Sequence, residues 1–428
     1  MKKTAPKIQH GVTNRPQAAK FRADSDSGKL EVGAGAVEKL RRGHPWVWQR
    51  TVQRGLERVQ AGDDVLVVGP DGSALGRGLA DPESPIAARL FTNLGQADVP
   101  IDRALFAERA RSAFAIRAKL FRDGATNAYR LLHGEGDRLP GFVIDRYDDV
   151  AVLRIDGDGA HARLAELVDA VWPQLEALGV VTLLLRTPKR QARERESKAP
   201  ADAGKTETLR GREPSERVSV REHGVPFVVD VLHGQKTGAF LDQRENRRRT
   251  GALAPGRRVL NLFSYAGGFS LFAALGGATH VTSVDMAAGA HAAAQASFRL
   301  AGVDPRAHAF VTADAFAFLE GAKRRGSTWD LIISDPPSFA SNEKSLPRAL
   351  TAYRALHRAC VDVLAPGGVF CAASCSSHVD AESFLATLDD VATNRSDLRL
   401  LEHHGPPPDH PTLPAWPEGR YLKFAVLG

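Results

Sequence analysis

Hydrophobic and polar positions change their pattern several times along the 428-residue chain. Residues 1–28 carry Lys2, Lys3, Lys7, Arg15, Lys20 and Arg22 with almost no apolar periodicity, which predicts a disordered basic tail. From 29 to 95 the runs LEVGAGAVEKLRRGHPWVW and VQAGDDVLVVGPDGSALGRGLADPESPIAARLF are short, β-rich and punctuated by Gly, Asp and Pro, so a small all-β domain is expected. Between 96 and 187, apolar residues recur at helical spacing through Leu105, Phe106, Ala110, Phe114 and Leu120. A hairpin-like stretch, YRLLHGEGDRLPGFVIDRYDDVAVLRI, and a second helix, LAELVDAVWPQLEAL, follow, which together make a small α+β module. Residues 188–217 mix both charge signs and hold hardly any large apolar side chain, as in a flexible linker or long hairpin loop. From 218 to 428 the pattern becomes strand and helix in turn. GRRVLNLF, THVTSVD, HAFVTAD, WDLIISDPP and GGVFCAASCS are short apolar strands, separated by segments such as MAAGAHAAAQASFRLAGV. That alternation predicts an α/β domain with a mostly parallel sheet covered on both faces.

Composition changes this picture little: 43% hydrophobic and 25% charged residues are the proportions of an ordinary soluble protein. There is no run of about 18 apolar residues, nor an apolar h-region near the start, so no membrane partner and a cytoplasmic location are expected. The three cysteines make neither a disulfide framework nor a metal cluster, and reduced thiols are expected. A net charge of +7 favours a polyanionic partner, because each neutralised phosphate releases condensed counterions.

The candidate chemistry lies in the last domain. RVLNLFSYAGGFSLFAALGG reads as strand, tight turn and helix, in which Gly267 and Gly268 let a ligand approach the backbone and the helix amides. Asp285 ends the next strand, where a carboxylate can accept hydrogen bonds from both hydroxyls of a ribose. Nicotinamide dinucleotides and S-adenosylmethionine both carry that ribose, although the turn is not G-x-G-x-x-G. Asp314 has two readings, a contact to an adenine amine or a helix N-cap. After the fourth strand, Asp335-Pro336-Pro337 fixes an extended turn, and a nucleobase can stack on Phe339 while Asp335 faces its polar edge. In this position the triplet resembles motif IV of the class I S-adenosylmethionine-dependent methyltransferases that modify bases.

The whole chain from about residue 30 resembles the bacterial 23S ribosomal RNA large-subunit methyltransferases of the RlmI type. The segments that carry the likeness are GHPWVW with LADPESPI, HGEGDRLPGFVIDRY, HGQKTGAFLDQRENRRR, LNLFSYAGGFS, ISDPPSFA, AASCSS and DHPTLPAWPEGRYLK. The resemblance implies an N-terminal PUA domain, a middle α+β domain and a Rossmann-like methyltransferase domain with a seven-stranded sheet. It also implies S-adenosyl-L-methionine as cofactor and large-subunit ribosomal RNA as partner, and it leaves room for a homodimer. Carried onto this sequence, Thr237, Phe240, Asp242, Gln243 and Arg244 cover the cofactor, with Phe263, Tyr265, Gly267, Gly268, Asp285, Asp314 and Asp335 around it. Pro336, Pro337 and Phe339 face the substrate base. Trp46 and Trp48 suit base stacking, but alternate aromatic residues on a short strand more often pack half-buried.

AASCSS resembles the family's Ser-Cys-Ser motif, in which the cysteine, here Cys375, is the nucleophile. The chemistry suits cytosine carbon 5, a poor nucleophile until a thiolate adds to carbon 6 and makes it enamine-like. Asp335, facing ring nitrogen 3 and the exocyclic amine, stabilises the charge that builds on the ring. The base that takes the carbon-5 proton is unassigned. Cys360, in a helix-like run, and Cys371, mid-strand, read as small core residues. The larger group of two-cysteine RNA cytosine-5 methyltransferases places a cysteine in motif IV, and Asp335-Pro336-Pro337-Ser338 has none. Competing readings are a methyltransferase acting on a base nitrogen such as guanine nitrogen 7, a non-catalytic RNA-binding assembly factor, and a dinucleotide-dependent oxidoreductase.

Overall fold

The computed structural model describes residues 28–187, 206–340, 342–393 and 395–428, so the expected basic tail up to residue 27 and the linker from 188 to 205 lie outside the described residues. The described chain forms a six-stranded sheet within residues 29–90, a five-stranded sheet built from 128–186 and 206–211, a short hairpin of Arg217–Glu222 with Val225–Asp230, and a seven-stranded sheet beyond 258. Among the described residues, no helix is long and apolar enough to cross a membrane.

Two expectations for the middle of the chain need correction. Thr206–Gly211, read as linker, is an edge strand antiparallel to Thr182–Arg186. It escaped notice because Leu209 is its only large apolar residue, and main-chain pairing holds the rest. The predicted helix runs from Arg103 to Leu120, capped by Asp102, which accepts from the Leu105 amide at 3.0 Å. Its last expected core residue, Leu120, is exposed instead, while Arg117 is fully buried. The Arg117 guanidinium replaces the lost apolar contact with hydrogen bonds to Asp137 (2.7 Å) and to the carbonyls of Asp409 (2.7 Å) and Arg130 (3.1 Å).

The seven-stranded sheet positions the site. Its strands are β1 (Arg258–Leu262), β2 (His280–Asp285), β3 (Ala309–Thr312), β4 (Trp329–Ser334), β5 (Leu364–Ser374), β6 (Leu400–His404) and β7 (Lys423–Leu427). Their spatial order is β3-β2-β1-β4-β5-β7-β6, with only β7 running against its neighbours. The helices are α1 (Arg244–Leu253), α2 (Gly268–Leu275), α3 (Ala288–Leu300), α4 (Ala315–Arg324), α5 (Leu346–Asp362) and α6 (Ala381–Ala392). Helix α5 shows why they pack: Ala349, Tyr353, Leu356 and Cys360 recur on one buried stripe and meet Phe370 and Phe384. Cys371 is buried in the core of the opposite face, beside Val259 and Leu331.

Register fixes what leaves the sheet together. Leu262 pairs with both Val284 and Ser334, and Ser334 pairs with Ala372. Phe263, Asp285, Asp335 and Ala373 therefore leave the sheet at one level, with Cys375 two residues beyond. The order reverses between β1 and β4, and a crevice at such a switch point is where open α/β sheets bind ligands.

The C-terminal loop between β6 and β7 ties the sheets to one another. Asp409, fully buried, accepts two hydrogen bonds from Arg244 at 2.9 Å and one from the Arg130 amide at 3.0 Å. His410 lies against His133, and burial together with the Arg130 charge holds both imidazoles below their ordinary range. Trp46 packs edge-on to Trp48 and Trp416 and donates to Glu135 at 2.8 Å, which is a packing role.

Candidate active site

The turn after β1 is wound tightly. Phe263 (φ 56°), Tyr265 (φ 45°) and Gly267 (φ 75°) all adopt left-handed backbone, at a cost of about 1–3 kcal/mol for each non-glycine residue. The Asp285 carboxylate braces the turn, accepting from the Tyr265 amide and from the Ala287 amide, each at 2.8 Å. Beneath it, Asn261 donates to Ser270, and Ser270 bonds Ser283, which pins α2 to β1 and β2. A Cβ at Gly267 would lie 2.6 Å from the Ala294 Cβ, and one at Gly268 would lie 2.8 Å from the Arg247 side chain. Both glycines therefore serve helix packing as well as backbone approach. Asp314 caps α4, accepting from the Ala317 amide at 2.9 Å.

Several features of this edge fit an adenosyl ligand. The buried Ser264 hydroxyl has no hydrogen-bond partner, and Asp285 stands at the end of β2. Met286, directly after Asp285, is 72% exposed, and Phe316, two residues after the Asp314 cap, is 40% exposed. Sequence reasoning missed Ser264, Met286 and Phe316. The available signals were Met286 directly after the strand-end Asp285 and Phe316 two residues after the cap Asp314; Ser264 carried none.

Residues 236–243 cross in front of this edge. Phe240 meets Tyr265 edge-on at 5.5 Å, with the Lys236 ammonium 4.4 Å from the Phe240 ring centre. Asp242 accepts from Lys236 at 2.9 Å and from the Tyr421 hydroxyl at 2.8 Å, and these partners hold its carboxyl well below the usual range despite burial. Gln243 receives a hydrogen bond from Asn246 at 2.6 Å and reaches Asp335. The other two residues of this set are committed elsewhere. Thr237 donates to Asp145 at 2.6 Å and shares a hydrogen bond with Tyr147, while Arg244 spends its guanidinium on Asp409 and Glu245.

At the end of β4, Asp335 is half-buried, Pro336 is buried and Pro337 is exposed. Burial, reinforced by the Asp242 charge, pushes the Asp335 carboxyl up to about 7. Phe339 is half-buried against Tyr353, with ring centres 4.8 Å apart, so the exposed ring of this turn is Pro337.

Cys375 is half-buried, whereas Cys360 and Cys371 are fully buried. Its flanking serines are tied down: Ser374 bonds the Tyr353 hydroxyl at 2.9 Å, and Ser376 reaches the Ala340 carbonyl. Burial and the Asp335 charge push the thiol up, while Lys236 and Lys423 oppose that rise. A group so placed can act as a nucleophile toward a ring held by Asp335 and the prolines. Lys236, Tyr421 and Lys423 are further site residues absent from the sequence-based set. Their only signal was membership of the HGQKTGAFLDQR and EGRYLK segments.

Two family models match the chain, a PUA-like domain over residues 30–93 and an S-adenosylmethionine-dependent methyltransferase over residues 170–422. A ribosomal RNA large subunit methyltransferase of Deinococcus radiodurans is 38% identical over 407 residues, covering 93% of this chain and 97% of its own. Ribosomal RNA large subunit methyltransferase I of Shewanella denitrificans is 34% identical over 400 residues, covering 93% and 98%. Among solved structures, SMU.776 complexed with SAH superposes with a TM-score of 0.81 at 25% identity, over 93% of this chain and 99% of that one.

Proposed function

The chain belongs to the S-adenosylmethionine-dependent methyltransferase family that includes the large-subunit ribosomal RNA enzymes, and from this premise we propose that it forms 5-methylcytosine in that RNA through a covalent adduct at Cys375. The observation that carries the reading is that Cys375, the one cysteine not fully buried, stands beside Asp335 at the switch-point edge. S-adenosylmethionine supplies an electrophilic methyl group. Phe240, Tyr265, Ser264, Asp285, Met286 and Asp314 are the residues that would hold it.

The Cys375 thiolate adds to carbon 6 of the cytosine, the electron pair of the 5,6 double bond shifts to between carbons 4 and 5 and the carbon 4–nitrogen 3 pair moves onto nitrogen 3, making carbon 5 nucleophilic. Carbon 5 then takes the methyl group as its bond to the sulfonium sulfur breaks, that electron pair staying with the departing thioether. Loss of the carbon-5 proton to a base restores the double bond as the carbon–sulfur bond breaks, returning the thiolate. Asp335, with its carboxyl near 7, is protonated in a substantial fraction at neutral pH and can donate to ring nitrogen 3 as charge builds there. A protonated carboxyl matches cytosine, whose nitrogen 3 is an acceptor.

Replacing Asp335 with Asn is expected to lower methyl transfer by roughly 100-fold and to remove the inflection near neutral pH from the pH–rate profile. The same change should stabilise the fold in alkaline solution. A carboxyl raised from 3.8 to about 7 favours the folded state fully only below 3.8, and that contribution is lost as pH rises through the folded value. Thermal melts should therefore show D335N gaining over the parent at pH 8 and not at pH 4. Equal gains at both pH values would contradict the assignment. The substrate reading is tested by mapping 5-methylcytosine in 23S ribosomal RNA from cells with and without the gene; an unchanged map would refute it.

A further inference from the structure

We propose that Lys423 is a positioning residue for Cys375, fixing its loop and supplying the counter-charge against which the thiolate forms. The proposal rests on Cys375 being the nucleophile and adds a role to a residue so far given none in the chemistry. Lys423 opens β7 directly opposite Ser374, the residue before the cysteine. Its side chain is buried at 2% exposure, and its ammonium donates to the carbonyls of Ser376, Val379 and Tyr421 at 2.5–2.8 Å. Two of those carbonyls lie in the loop that carries Cys375. The hydrogen bonds satisfy all three N–H groups without neutralising the charge.

A buried cation usually persists only beside an anion, because desolvation of an unpaired charge is strongly unfavourable. Among the described residues no carboxylate lies within ion-pair distance of Lys423. Burial pulls the Lys423 ammonium down to about 8; the anionic groups that oppose this fall are Cys375 and Asp380, and Asp380 is an exposed helix cap accepting from the Ser383 amide. The groups facing Cys375 divide by sign: Asp335 and Asp242 disfavour its thiolate, Lys236 and Lys423 favour it, and the Tyr353 hydroxyl lies alongside. Lys236 is already paired with Asp242 at 2.9 Å. Lys423 is thus the cation left to balance the sulfur anion.

The test is the pH dependence of iodoacetamide alkylation at residue 375, followed by peptide mass spectrometry on the full-length protein without RNA. Lys423→Met is expected to move the midpoint upward by about one pH unit, a roughly tenfold slower alkylation at neutral pH, with the pH–rate profile of methyl transfer moving by the same amount. Lys423→Arg should leave the midpoint near the parent value. Cys360 and Cys371 report on folding: if they alkylate in Lys423→Met, the comparison passes to Lys423→Gln, which keeps two donors without the charge. An unchanged midpoint in a folded neutral variant overturns the proposal. A shifted midpoint in a protein whose Cys375→Ala variant still methylates RNA would sink the nucleophile reading while leaving the electrostatic role of Lys423 intact.

Discussion

Methyl transfer to RNA by a Cys375→Ala variant is expected to fall at least ~1,000-fold, with the fold and cofactor affinity close to those of the parent. The size of the effect follows from the acceptor. Carbon 5 of cytosine has no comparable route to the methyl group without addition at carbon 6, and Cys371 and Cys360 cannot substitute because both are fully buried in the core. Burial pushes their thiols far up, so they stay protonated. The structural cost should be small, since Cys375 is only half-buried and its loop is held by Ser374, Ser376 and Lys423. Cys371→Ala should show the reverse, a loss of stability with little loss of rate. Incorporation of labelled methyl groups into ribosomal RNA separates these outcomes. Undiminished labelling by Cys375→Ala would favour a base-nitrogen acceptor.

Loss of the Arg244–Asp409 pair is the second large effect. Arg244→Ala is expected to destabilise the protein by about 3–5 kcal/mol, because it leaves the Asp409 carboxylate buried with only the Arg130 amide and His410 beside it. Denaturant titration measures this directly. The pH dependence has a definite sign. Desolvation alone would raise the Asp409 carboxyl, but His410 and Arg244 hold it well below 3.8, so its stabilising contribution is present above that value and lost as pH falls further. Arg244→Ala should flatten the acid limb of the stability curve. A loss under about 1 kcal/mol would show that the pair contributes little net, as buried pairs sometimes do. Replacing both partners with apolar residues should cost less than replacing Arg244 alone.

The sheet was legible because each parallel strand is a short apolar run ended by Gly, Asp or Pro, and the strand ends themselves locate Gly267, Asp285, Asp335 and Cys375. Two edge strands were not. Thr206–Gly211 and β6, LLEHH, are polar or exposed, and their pairing comes from main-chain bonds that carry no side-chain period. The joint around Asp409 was hidden for another reason: Arg244 lies 165 residues from its partner, so local spacing carries no trace of the contact. That also explains why the bonds from Arg244 to Asp409 and from Thr237 to Asp145 could not be read from their own segment. Lys423 drew no separate reading in the sequence, because its burial depends on Ser376 and Val379, more than forty residues away.

The most direct test is trapping on ribosomal RNA containing 5-fluorocytidine. After addition of the thiolate and methyl transfer, carbon 5 carries fluorine and no proton to lose, so elimination is blocked. The account predicts a denaturation-resistant protein–RNA conjugate whose RNA-bearing peptide contains Cys375. Absence of any conjugate from a preparation that methylates unsubstituted RNA under the same conditions would contradict it.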